Sequence, residues 1–392
     1  MTAALGFTVS PSELQNHANV VSQLADQMGH TLGTAQQATL GGNAFGEIAV
    51  ALSFANIIKQ VASPGMSALS QAQSMLNLVN STMKIAAGNY SAVEQTNMTR
   101  FQPGNMNITS PSTSINPLTG QPNSNTVGGA RSGANIMNDV SSLEKDISGG
   151  NWIQGGLAAM NVIRDIGSIL SNPVGAIMQF GFSFLMNAIK PLQQAIGWLI
   201  GNPGQVSQYG SQWQGVAGSV MQIGNTFSQT LNKDTANWTG VTANNYRSYA
   251  NNQINTLSAV STATKAIGNA TQVIGQLVQK VQAIIKQLVS QAMGQIVQTA
   301  AAASFMISIP VVVAKVVQEV ISWMQKIADV IKMLTSAFNT LQPLMSNLQQ
   351  LFGATHTTMS SGVQPISAIP QQSVPGINLP TPVNRVAPII TT

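Results

Sequence analysis

The sequence predicts an all-α protein, and three observations carry that reading. Apolar residues recur in steps of three and four over long stretches, which draws one stripe down a helix. Pro- and Gly-rich breaks separate those stretches. A sharp bend, Trp238-Thr-Gly240, joins two of the longest. Gly240 can take φ > 0 without a Cβ clash, and Trp238 can bury a large ring across the mouth of the hairpin. The predicted architecture is an N-terminal antiparallel helical hairpin (1–98), a disordered linker (99–133) and an apolar helical segment (134–204). A larger multi-helix bundle built on the Trp-x-Gly hairpin (205–352) and a disordered Pro-rich C-terminal tail (353–392) complete it.

The N-terminal hairpin opens at Ser10-Pro11-Ser12-Glu13. Ser10 suits a cap, Pro11 the first helical position, and Glu13 can close a capping box. Leu14, Ala18, Val21, Ala25, Met28 and Leu32 then form one stripe. A Gly-rich turn ending in Phe45-Gly46 reverses the chain. The return helix shows Leu69, Ala72, Leu76, Val79, Met83, Ala86 and Tyr90. Pro64-Gly65 predicts a kink or a break in it. Tyr90 and Glu94 stand at i and i+4, on one helical face.

Residues 1–98 resemble the EspC-like family of actinobacterial type VII (ESX) secretion substrates. The opening Leu5-Gly-Phe-Thr-Val-Ser-Pro-Ser-Glu-Leu14, the Phe45-Gly46 turn and the closing Tyr90-x-x-x-Glu94 carry the resemblance. It implies that Tyr90 and Glu94 form the export signal that such hairpins carry after their second helix.

Residues 99–133 are rich in Pro, Asn, Ser and Gly and offer little apolar surface to offset ordering entropy. Ile136, Val140, Leu143 and Ile147 predict a short amphipathic helix ending at Gly149-Gly150. Residues 166–189 are uncharged, long enough to span a bilayer. Ser171-Asn172-Pro173, Gln179 and Asn187 interrupt the run, which favours a packed helix pair.

Around the Trp-x-Gly bend the incoming stripe is Tyr209, Trp213, Val216, Val220, Ile223, Phe227 and Leu231. The outgoing stripe runs from Tyr246 to Leu288, so that helix outruns its partner and needs a second one. This module resembles the WXG-type (ESAT-like) family, helical hairpins that travel through the same secretion system. Trp238 and Gly240 carry that match. No Tyr-x-x-x-Asp/Glu follows this hairpin, and it is internal to the chain, two departures from the family. The apolar run 300–314 contains Pro310, which predicts a bend into another helix, Val316 to Leu348, that folds back as the missing partner. Prolines at 365, 370, 375, 380, 382 and 388 exclude helix from most of the tail.

Only 7% of the 392 residues are charged and 44% are apolar. Such a chain has little charge repulsion to keep it monomeric and favours self-association or lipid contact. The net charge is +5. Late lysines (Lys265, Lys280, Lys286, Lys315, Lys326, Lys332) outnumber Glu319 and Asp329 and can attract an acidic partner or membrane surface. No dense basic cluster interleaves with aromatics, so no nucleic-acid partner is expected. The absence of Cys excludes disulfides and thiolate metal sites. The three histidines are far apart, and no P-loop, His-Glu-x-x-His or Gly-x-Ser-x-Gly occurs. No catalytic, cofactor-binding or metal residue is expected, and the chain reads as a non-enzyme. No basic and apolar leader opens it, so no Sec signal is expected.

The functional expectation is a type VII substrate, secreted or envelope-associated, that assembles with itself or a helical partner, with virulence as a possible context. The secretion machinery or a chaperone is its expected partner. The alternative is a membrane-active protein inserting the apolar runs 166–189 and 300–314. A toxin-like effector is a third reading, against which stands the Pro-rich tail in place of a charged catalytic domain.

Overall fold

The computed structural model describes residues 8, 10–88, 132–153, 190, 197, 200–303 and 309–361. Among them run α1 (Pro11–Gln37), α2 (Ala49–Gly88), α3 (Gly133–Ser148), α4 (Pro203–Asp234), α5 (Val241–Ala303) and α6 (Ile309–Ser361). A single 3-10 turn, Asn151–Ile153, follows α3, and no strand occurs among the described residues. The predicted run 166–189 lies outside the described residues, as do 99–131 of the predicted linker and 362–392 of the predicted tail.

Helix α1 begins as its sequence suggests. Ser10 Oγ accepts the Glu13 N–H at 3.4 Å, and Pro11 opens the helix. The capping box does not close on Glu13, whose carboxylate instead accepts Asn237 Nδ2 at 3.0 Å. The stripe Leu14, Ala18, Val21, Ala25 and Met28 is buried. A Cβ at Gly29 would lie 2.6 Å from the Gln73 amide, so α1 and α2 are closely apposed there. They are antiparallel, and this register sets the end of α2 at Gly88 level with the first turn of α1.

The break predicted at Pro64-Gly65 does not occur: α2 is one helix of 40 residues with Pro64 inside it. Pro64 cannot donate to the Gln60 carbonyl, but buried Ile57, Ile58, Val61, Ala68 and Leu69 hold both sides of it in one seam. Gly65 matters for another reason. A Cβ there would press on Ile267 and Phe352, each at 3.3 Å, so three helices converge on its missing side chain.

Helices α4 and α5 form the hairpin around the Trp-x-Gly bend. Asn202 caps α4 through the Gln205 N–H at 3.0 Å, and Pro203 opens it. All seven predicted stripe residues of α4 are buried. The two backbones cross closely at paired glycines: a Cβ on Gly268 would lie 2.6 Å from the Gly210 carbonyl oxygen. Substituting alanine for glycine inside a helix normally stabilises it by roughly 0.5–1 kcal/mol. At Gly268 the sign should reverse, with Gly268→Ala costing about 1–3 kcal/mol because the helices must move apart. Gly218→Ala on α4, where a Cβ meets nothing within 4 Å, should be neutral or stabilising. Urea denaturation of the two variants beside the parent checks this pair.

Helix α5 has 63 residues and α4 has 32, about 95 and 48 Å of helix. The excess of α5 is paired by α6, which runs antiparallel to it. Trp323 Nε1 donates to Gln295 Oε1 at 3.2 Å, and Thr299 Oγ1 donates to Glu319 Oε1 at 2.6 Å. Pro310 falls in the first turn of α6; residues 304–308 before it lie outside the described residues. The predicted tail start at 353 is corrected: α6 continues to Ser361, with Phe352, Thr355 and Met359 buried. Helix α2 lies beside α6 with Phe54 edge-on to Phe338 (centroids 5.2 Å, 84°). Helix α3 buries Ile136, Val140, Leu143 and Ile147. It is tied to α5 by the Gly133 N–H donating to Asn252 Oδ1 at 2.7 Å and by Asn269 Nδ2 donating to Glu144 at 2.8 Å.

The helices of the N-terminal hairpin and those of the bundle thus share one apolar core. It continues along α5 to Ile296, where α6 supplies Val316, Trp323 and Ile327, but not every helix follows it that far. Phe54 of α2 meets Phe338, and Val206 of α4 meets Gly275, both within a turn or two of the starts of their helices. Neither α2 nor α4 therefore accompanies the last 20 or so residues of α5, about 30 Å. There α5 and the first half of α6 project together as an arm.

Candidate functional site

The bend between α4 and α5 is built from its own backbone and closed by one side chain. The Trp238 N–H donates to the Thr235 carbonyl at 3.1 Å. Gly240 has φ 103°, a region closed to residues with a Cβ, which is why glycine stands there. Arg247, in the second turn of α5, reaches back over the bend. Its guanidinium donates to the carbonyls of Thr235 and Trp238 and, through Nε, to Thr235 Oγ1 at 3.1 Å. The Thr235 carbonyl sits at the C-cap of α4, where helical partners are missing and a cation is favoured, and the Trp238 carbonyl lies in the bend.

The outer side of the bend meets the start of the N-terminal hairpin. Thr8 and Thr239 exchange two bonds: the Thr239 N–H donates to the Thr8 carbonyl at 2.8 Å, and the Thr8 N–H to Thr239 Oγ1 at 2.8 Å. Asn237 donates to Glu13 beside them. Trp238 is buried against the Tyr246 ring, centroids 5.6 Å apart.

Beneath the bend three polar side chains from three helices meet. His17 of α1 is fully buried, its Nε2 hydrogen-bonded to Tyr246 Oη of α5. Its Nδ1 faces Asp234 of α4 at 3.6 Å, an ion-pair distance too long for a hydrogen bond. The Asp234 carboxylate favours the proton on Nδ1, which leaves Nε2 to accept from the Tyr246 hydroxyl. Burial pushes the His17 pKa below its ordinary value; Asp234 and the Thr230 backbone oppose this without overcoming it. Burial drives the Tyr246 hydroxyl well above the usual phenol range, with Tyr249 and Asp234 adding to the effect, so it stays protonated. Phe227 and Tyr246 flank the imidazole at 6.2 and 5.6 Å between centroids. His17 and Tyr246 are fully buried in this His-Tyr-Asp row, and Asp234 is partly exposed at its edge. The row ties α1 to the Trp-x-Gly hairpin. Among the described residues no group of three or more His, Asp or Glu is placed to hold a metal ion.

The other predicted turn residues lie at the opposite end. Phe45 is buried edge-on to Phe54 (6.4 Å), and Gly46 has φ 119° in the link between α1 and α2. The Ala44 carbonyl accepts the Asn202 N–H at 2.8 Å, so this turn also receives the start of α4. Tyr90 and Glu94 lie outside the described residues. The chain reaches them from Gly88, at the end of the molecule that carries Trp238.

The sequence reading singled out Trp238 and Gly240 but not His17, Asp234 or Arg247. A signal existed. In a chain with so few charges, Asp234 and Arg247 bracket the bend, and His17 falls beside the apolar stripe of α1. Comparison with protein-family models, curated proteins and solved structures finds no match.

Proposed function

We propose that the chain is a non-enzymatic substrate of a type VII (ESX) secretion system, acting as an interaction or self-assembly protein at or beyond the cell envelope. The observation behind this reading is the common end of the two hairpins. Helix α2 ends at Gly88 level with the first turn of α1, and that turn bonds to the Trp238–Gly240 bend through Thr8 and Glu13. Tyr90 follows Gly88 by two residues, at most about 7 Å of chain. Gly88, the last described residue before Tyr90 and Glu94, thus stands at the end of the molecule that carries the Trp238 bend, which supports a single surface there for a secretion component or chaperone to read. A helical partner or a second copy suits a surface covered by Asn, Gln, Ser and Thr rather than by like charges.

The test is export from an actinobacterium carrying the system, comparing parent, Tyr90→Ala and Glu94→Ala in lysate and culture filtrate with a lysis control. Parent protein is expected in the filtrate, and both variants are expected to stay in cells at normal levels. Equal export of all three, or retention of all three, overturns the reading.

A further inference from the structure

The start of α1, with Thr8 before it, meets the Trp-x-Gly bend through polar pairs. Thr8 exchanges two bonds with Thr239, Glu13 accepts from Asn237, and His17 meets Tyr246 and Asp234. Two atoms of this junction, Glu13 Oε2 and His17 Nδ1, are buried without a hydrogen-bond partner. Apolar support is thin: between Pro11 and His17 only Leu14 buries an apolar side chain. Beyond His17 the balance changes. Ala18, Val21, Leu24, Ala25 and Met28 are buried along α1. The return helix α2 docks through Phe54 on Phe338 and through Gly65 against Ile267 and Phe352, contacts without a titratable group.

His17 is the imidazole of this junction, and imidazole takes up a proton in mildly acidic water. Its surroundings do not suit the charge. The carboxylate facing the ring is Asp234 of α4, at 3.6 Å, without a hydrogen bond and partly exposed. Lys233 beside it is exposed. From α5, burial keeps Tyr246 and Tyr249 protonated, and Arg247 is turned onto the Thr235 and Trp238 carbonyls. On α1 itself Glu13 is engaged by Asn237, and the two lysines of α2, Lys59 and Lys84, are exposed. Phe227 packs on the ring from α4. A buried imidazolium here has neither water nor a full set of partners. Opening the junction gives it water, gives up little apolar contact from α1, and exchanges the polar pairs for bonds to solvent.

We propose that the junction of α1 with the Trp-x-Gly bend is an acid-opened latch: a proton taken up by His17 releases the first two turns of α1 from α4 and α5, while the rest of the N-terminal hairpin stays docked. Release frees the outer side of the bend, with the Thr239 N–H and the Asn237 amide, for a partner. The open junction takes up the proton before the closed one as pH falls, because burial lowers the affinity of the closed site for it. Opening is therefore favoured below the ordinary imidazole value of 6.5 and unaffected above it.

The experiment is amide hydrogen exchange of the full chain at pH 7 and pH 5, corrected for intrinsic rates. Two amides bridge the hairpins at opposite ends of the molecule. The Thr239 N–H donates to the Thr8 carbonyl and the Asn202 N–H to the Ala44 carbonyl, each at 2.8 Å. Protection of Thr239 should fall between about fivefold and about 25-fold, the upper figure being the limit for an imidazole of ordinary value in the open junction, while that of Asn202 holds. In His17→Gln, whose side chain cannot titrate, Thr239 should be protected equally at both pH values. Protection at Thr239 that is absent, or that does not change with pH in the parent, overturns the proposal. So does an equal fall at Asn202, which makes the effect one of the whole fold, or a fall that persists in a folded His17→Gln. If that variant fails to fold, the His17 ring resonances of the parent decide: titration below 6.5 supports the latch, and titration at or above it removes the driving force. The latch needs none of the export reading, which is scored separately in cells, so either can fail alone.

Discussion

Trp238→Ala is expected to lower the free energy of unfolding by about 3–5 kcal/mol, the usual range for deleting a buried large aromatic. The ring is 4% exposed and packs on Tyr246, which in turn bonds His17. Its loss opens a void where α1, α4 and α5 meet, and no flexible neighbour stands ready to fill it. Trp238→Phe keeps part of the contact and should cost less. Gly240→Ala adds a strain of order 1–3 kcal/mol at φ 103° without touching the ring. Equilibrium denaturation in urea ranks the three. A Trp238→Ala loss under 1 kcal/mol would mean that the bend is held by Arg247 and the Thr8–Thr239 pair instead.

Acidification is the second large effect. The His17 pKa is depressed in the folded chain, so the unfolded chain takes up a proton first as pH falls. Above the unfolded value, near 6.5, both states hold neutral imidazole and the group contributes no pH dependence. Below it, stability falls by up to about 1.4 kcal/mol per pH unit until the folded pKa is reached. Between pH 7.5 and pH 5 the loss attributable to His17 is thus up to about 2 kcal/mol. The groups facing the imidazole are Asp234, which softens the loss by attracting the proton, and Tyr246, which does not ionise in this range. His17→Gln cannot titrate. The check is the difference in unfolding free energy between the two pH values for parent and variant. An unchanged difference in His17→Gln would assign the pH dependence to other groups.

Much of the fold was legible because its helices are amphipathic in the simplest way. Every stripe residue of α4 named from spacing is buried, as are Ile136, Val140, Leu143 and Ile147 of α3. The fold-back of α6 on α5 was legible from length alone, since a helix twice as long as its partner leaves a bare seam. What spacing could not reveal is which hairpin lies against which. The Pro- and Ser-rich stretch 99–133 reads as a separator, yet Thr8, Glu13 and His17 all bind the bend more than 200 residues away. Those contacts are polar and use single side chains, so they leave no periodic trace. Pro64 misled for a related reason. A local rule counts one lost hydrogen bond, whereas the helix is held by apolar contacts on both sides of the proline. The Pro-rich tail was read as beginning at 353, but the seam simply continues through Thr355 and Met359.

The pairing of His17 with Tyr246 also sets a clock on biosynthesis. The two residues are 229 positions apart. At about 5–20 residues per second, the partner of His17 emerges from the ribosome on the order of 10–50 s after His17 itself. Through that interval the face of α1 that will meet α4 and α5 has nothing of its own chain to cover it. Contacts of such long range also slow the final collapse. The nascent chain thus passes through a lasting stage in which its first two helices can be held by another molecule and its last four have yet to close over them.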